Sequence, residues 1–118
     1  VNKLKGNQMT VFKYWMATEL EVIDFVAEHL LKQGKKSLLS EYKCMYRGVG
    51  DLMCAAGCLI PRHLYNTGME HKSWTELCED FGLPTEHKTL IFKMQCIHDN
   101  EYVEEWPNSL AKLREQYV

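Results

Sequence analysis

The chain has 118 residues, 46% of them hydrophobic and 25% charged, which is the length of one domain with a core of its own and excludes collagen-like, low-complexity and disordered classes. The formal net charge of −2 hides an asymmetry: residues 1–50 carry eight Lys/Arg against five acids, and residues 51–118 carry six against eleven. Neither half is basic enough for nonspecific nucleic-acid binding, and the acidic half favours a cationic partner surface.

Val1 to Gln8 is polar and aperiodic and reads as a flexible leader, leaving 9–118 as a single globular domain. No signal-peptide pattern opens the sequence, and the longest apolar run, Leu52 to Ile60, is far short of a membrane span. A cytoplasmic protein without membrane association is expected.

Thr18 and Glu21 form a capping box ahead of a helical stripe of Leu20, Ile23, Val26, Ala27, Leu30 and Leu31, with Gly34 as the stop. Val11 to Met16 is aromatic and fits either an extension of that helix or a short strand. Tyr42 to Arg47, the Gly48-Val49-Gly50-Asp51 turn and Leu52 to Cys54 predict a small hairpin. Ala55 to Ile60 predicts a short buried helix ended by Pro61. Ser73 and Glu76 cap a helix over 73–81, closed by Gly82. Thr85 is placed to cap a further helix with Leu90, Ile91, Met94 and Ile97 inward. Asn108 is placed to cap the last one, with Leu110, Leu113 and Tyr117 inward. The sum is an α+β, helix-dominated domain of four to five helices with a small β-hairpin.

Three of the five cysteines lie in the window 42–65. Cys44, Tyr46, Arg47, Gly48 and Gly50 lead into Cys54-Ala55-x-Gly57-Cys58-Leu59-Ile60-Pro61. Tyr65, Met69 and Glu70 follow, and Ile97-His98-Asp99 comes later. On these residues the chain resembles a group of small phage-encoded proteins with a Cys, Tyr-Arg-Gly, Cys-Ala-x-Gly-Cys-Leu-Ile-Pro and Ile-His-Asp pattern. The resemblance covers under a third of the chain. It implies a viral accessory protein in a host cytoplasm, and it implies no chemistry. The pattern has an acidic residue after the proline where this chain has Arg62.

Four constellations are weighed. Cys44, Cys54, Cys58 and His63 offer thiolate and imidazole ligands for a structural zinc, but they lack a tight C-x2-C pair, and the apolar neighbours favour core thiols. Cys54 or Cys58 at a helix start, with His98 or His63 as base, would make a cysteine-dependent enzyme. Adjacent helical residues point about 100° apart, so Asp99 is not expected to orient His98. Arg47, Arg62, His63 and Tyr65 form a candidate ligand site, in which the arginine forks take a small anion or nucleotide and the aromatic ring stacks. Trp74, Glu101, Tyr102, Glu104, Glu105 and Trp106 form a candidate protein-binding face.

The reading this favours is a non-enzymatic binding protein with no cofactor and no metal. It would act as a phage host-takeover or anti-defence factor, an inhibitor that occludes a basic surface on a host protein. A small-molecule binder is the alternative, and a zinc protein or cysteine enzyme the third.

Overall fold

The computed structural model describes residues 11–40 and 43–118; the leader expected at 1–8 lies outside them. Four helices are described: α1 (Glu19–Gln33), α2 (Trp74–Phe81), α3 (Lys88–Asn100) and α4 (Trp106–Glu115). Two short antiparallel strands, β1 (Leu38–Ser40) and β2 (Lys43–Cys44), pair Leu38 with Cys44 and Ser40 with Lys43. The domain is α+β and helix-dominated, as the sequence predicts. Among the described residues, no helix is long and apolar enough to cross a membrane.

The two capping boxes form where the sequence puts them. Thr18 Oγ1 accepts from the Glu21 N–H while Glu21 Oε1 accepts from the Thr18 N–H. Ser73 and Glu76 repeat the arrangement. Each box satisfies two backbone donors that the first helical turn leaves unpaired. α1 ends at Gly34 with φ 66°, a left-handed conformation that glycine adopts without a Cβ penalty.

The core is one cluster. α1 contributes Val22, Ile23, Val26 and Leu30; α3 contributes Leu90, Ile91, Met94 and Ile97; α4 contributes Trp106, Leu110 and Leu113. Leu31, expected on the apolar face of α1, is 46% exposed, and Val22 takes the inward place instead. Aromatic residues pin the N-terminal edge: a short 3-10 turn, Tyr14–Met16, buries Tyr14, whose hydroxyl donates to the Pro84 carbonyl at 2.6 Å.

Four expected elements differ. The Arg47–Met53 hairpin shrinks to one antiparallel bridge. It does not extend because the Tyr46 N–H donates to Glu70 and the Cys54 carbonyl accepts from the Cys58 N–H, while the outward-facing backbone groups of Met53 bond Gln33 of α1 at 2.9 and 3.0 Å. Ala55 to Ile60 folds as a 3-10 turn, Gly57–Leu59, in place of a short α-helix. α3 starts at Lys88 after a left-handed His87, and Thr85 does not cap it; His87 Nε2 instead lies 2.7 Å from the Ala17 carbonyl and fixes the entry. α4 starts at Trp106, ahead of the expected Asn108. Pro107 sits in its first turn, where a missing N–H costs nothing.

Candidate functional site

The residues of the window 42–65 separate into a rigid strut and a cavity. The strut is organised by Glu70. Its Oε1 accepts from the Tyr46 N–H at 2.9 Å, and its Oε2 accepts from the Arg47 N–H at 3.1 Å and from the Tyr65 hydroxyl at 2.5 Å. The Arg47 guanidinium donates to the Ile60 carbonyl at 2.7 Å and lies over the Tyr65 ring at 5.1 Å. Tyr46 Oη donates to the Lys72 carbonyl at 2.5 Å. Gly57 lies against the Tyr46 backbone so closely that a Cβ there would overlap the Tyr46 carbonyl. These bonds tie the loop after β2 to the turns around Ile60 and Glu70.

Of the candidate anion site, Arg47 and Tyr65 are therefore committed to holding the loop. Arg62 is close enough to lower the Arg47 pKa, though burial is the larger cause. Arg62 and His63 are exposed. None of the four residues borders the cavity described next.

On the other side of Tyr46 is a cavity of about 270 Å³. Tyr46, Trp74, Ile91 and Phe92 give it apolar walls, and Cys44, Gln95 and Asp99 give it a polar floor. Glu70 and Lys72 also border it. Trp74 is buried, and its indole N–H is without a hydrogen-bond partner among the described residues.

The floor is built by α3, whose Gln95 and Asp99 are one turn apart. Gln95 Oε1 accepts from the Ala56 N–H at 2.8 Å, and its Nε2 donates to Asp99 Oδ1 at 2.8 Å. Asp99 Oδ1 also lies 2.8 Å from His98 Nδ1. His98 is fully buried, stacks on Trp106 at 5.4 Å, and accepts the Ser37 N–H on Nε2 at 3.0 Å. Because Nε2 is the acceptor, the proton of the neutral ring is on Nδ1 and faces Asp99. The expectation that Asp99 cannot orient His98 is thereby corrected. Helical geometry separates the two Cβ directions, but His98 is turned inward by Ser37 and Trp106, and the carboxylate reaches its free edge.

Electrostatics at the floor disfavour thiol chemistry. Burial, and then donation of the Cys44 thiol to the Asp99 carboxylate, push Cys44 up to about 12. Burial opposes ionisation of Asp99, yet hydrogen bonds from His98, Cys44 and Gln95 outweigh it and hold the carboxyl below its ordinary value. Cys54 is raised to about 12 by burial, and its Sγ accepts from the Gly57 N–H at 3.3 Å. Burial also raises Cys58, whose thiol donates to the Ala55 carbonyl at 3.1 Å. Neither Cys54 nor Cys58 sits against an imidazole.

The zinc set weighed for Cys44, Cys54, Cys58 and His63 does not assemble among the described residues. Among the described residues, the one group of three metal-ligating side chains is Cys44, His98 and Asp99, with ligand atoms within 4.8 Å. The His98 tautomer argues against it as a metal centre. A metal on Nδ1 would move the ring proton to Nε2, directly against the Ser37 N–H.

The candidate protein-binding face divides. Trp74 and Trp106 are buried, Trp106 fully. Tyr102 is 74% exposed, with Glu104 and Glu105 exposed close by in the chain. Glu101 is half-buried, and its carboxylate takes the Ser109 hydroxyl.

Sequence reasoning missed Gln95 and Ser37, which belong to no motif. It weighed Cys44 as a zinc ligand and Asp99 as a partner of His98, and did not bring the two together. Comparison with family models, curated proteins and solved structures finds no match for the chain.

Proposed function

We propose that this protein is a non-enzymatic binder of a small molecule, and that the cavity between Tyr46, Trp74 and the Cys44–Gln95–Asp99 floor is its site. The observation that carries this reading is the cavity itself: a concave space of about 270 Å³ with aromatic and aliphatic walls and a few convergent polar groups. The cavity holds no activated nucleophile, since both thiols that border it, Cys44 and Cys54, are raised chiefly by burial. A thermal-shift series with indole, benzamidine, benzamide and benzoate tests the reading. At least one probe is expected to stabilise the protein, and Met45→Trp, which crowds the cavity border, is expected to abolish the shift. Absence of any shift, or a shift that survives Met45→Trp, contradicts it.

A second reading is favoured by one surface feature. Tyr102, exposed beside Glu104 and Glu105, offers an aromatic anchor in an acidic setting. On this reading the protein is a phage accessory factor that occludes a basic surface of a host protein. Capture of a specific host protein by the folded chain, lost in Tyr102→Ala, supports it. Recovery of no specific partner contradicts it.

A further inference from the structure

We propose that the cavity selects a small organic cation with N–H donors, such as an amidinium, a guanidinium or an ammonium on a compact apolar body. This rests on the small-molecule reading above and adds the charge of the ligand.

The argument begins with two carboxylates that border one cavity, Glu70 and Asp99. Both are held by neutral donors. Glu70 is bound by two backbone N–H groups and the Tyr65 hydroxyl. Asp99 is bound by the neutral His98 ring, the Gln95 amide and the Cys44 thiol. Among the described residues, no lysine or arginine nitrogen comes within 4.0 Å of either carboxylate. The nearby cations are turned elsewhere. Lys72 Nζ pairs with Asp80 at 3.1 Å, and Lys36 Nζ binds the Asp99 backbone carbonyl at 3.1 Å.

A carboxylate held by neutral donors alone stays ionised and keeps an uncompensated negative charge that a cation can meet. Here the donors keep Asp99 ionised, and the space in front of it is open to a ligand. The walls agree with the floor. Trp74 and Tyr46 border the cavity with aromatic rings, and the face of such a ring attracts a cation. A bound cation would place its N–H groups on Asp99 and its body against these rings. His71 and Lys72 also border the cavity, with the Lys72 ammonium paired to Asp80, so an anion would meet two carboxylates and no free guanidinium, Arg47 being bonded to Ile60.

The test uses three probes of nearly one shape and different charge: benzamidine, benzamide and benzoate. Binding to the full chain is followed by calorimetry and by the Trp74 indole N–H resonance, assigned with Trp74→Phe. Benzamidine is expected to bind about tenfold more tightly than benzamide, with benzoate weakest. Asp99→Asn is expected to reduce benzamidine affinity about tenfold and to leave benzamide within about twofold. Equal or tighter binding of benzamide or benzoate overturns the charge assignment while leaving the cavity reading intact. Binding of indole but none of the three also overturns the charge assignment, and binding of none of the four overturns the cavity reading itself. The charge series on the unmodified chain decides the question even where Asp99→Asn does not fold.

Discussion

The Ser37 backbone N–H donates to His98 Nε2 at 3.0 Å and so fixes the proton of a fully buried imidazole on Nδ1, 2.8 Å from Asp99. One backbone bond from the segment after α1 thereby orients the ring, and the ring orients the carboxylate at the cavity floor. His98→Ala would leave the Ser37 N–H unpaired and open a void beside Trp106. Destabilisation of about 3 kcal/mol or more is expected, read from urea unfolding at constant m-value. A loss below about 1 kcal/mol would show that the ring is not an anchor.

Arg47 and Glu70 hold the loop after β2. Glu70→Ala would strand two backbone donors and a tyrosine hydroxyl, and a loss of about 3 kcal/mol is expected. Arg47→Lys would lose the guanidinium over the Tyr65 ring and is expected to cost about 1–2 kcal/mol. Chemical denaturation checks both. Destabilisation by Arg47→Lys together with unchanged benzamidine binding would separate the strut from the site.

Gly57→Ala should be among the most damaging single-methyl changes in the chain. The new Cβ would overlap the Tyr46 carbonyl, which is backbone and cannot rotate away. A loss of about 3 kcal/mol or more is expected in thermal or urea unfolding. Gly68→Ala serves as the comparison, since its Cβ would meet only the Asn66 side chain closely, at 3.0 Å.

Buried thiols and tyrosines share the alkaline limit, since burial raises Cys58, Tyr14, Tyr46 and Tyr65 as well. Cys44 and Cys54 are raised from an ordinary value of 9.0 to about 12, so both stay protonated in the folded state where they would ionise in the unfolded one. Their contribution to stability is complete below pH 9.0 and is lost as pH rises towards about 12. Cys44→Ser and Cys54→Ser are expected to flatten that loss. At pH 8, native alkylation of Cys44 and Cys54 is expected to be far slower than in urea.

Asp99 works in the opposite direction. Its carboxyl is held below the ordinary value of 3.8, so its contribution is complete above that pH and is lost as pH falls through the lower folded value. Asp24, lowered mainly by its hydrogen bond from Arg114, adds to the same acid limb from an exposed position. Asp99→Asn is expected to make unfolding less dependent on pH below about 4. An unchanged acid limb would mean that the carboxylate is not ionised in the fold.

What was legible in the sequence is what is local. The capping boxes of Thr18–Glu21 and Ser73–Glu76 are set by residues three apart, and both form. The inward residues of α3 follow from helical spacing, and all four are buried. The site was not legible, because the bonds that assemble it join distant segments, Ala56 with Gln95 and Ser37 with His98, while the local pairs within α3, Gln95–Asp99 and His98–Asp99, carry no signal of a cavity. A glutamine in mid-helix carries no signal of its own. The Ile97-His98-Asp99 tripeptide was the one available hint, and it gave no partner. The arginines drew attention because a guanidinium suggests an anion. In the fold, Arg47 serves a carbonyl and a ring.

The most direct test of the small-molecule site is a two-dimensional ¹H–¹⁵N NMR titration of the full chain with benzamidine. The account predicts saturable shifts centred on the Trp74 indole N–H, the Gln95 side-chain amide and the Ala56 N–H. Shifts centred on Arg62 and His63, or no shift with benzamidine, benzamide, benzoate or indole, would contradict it.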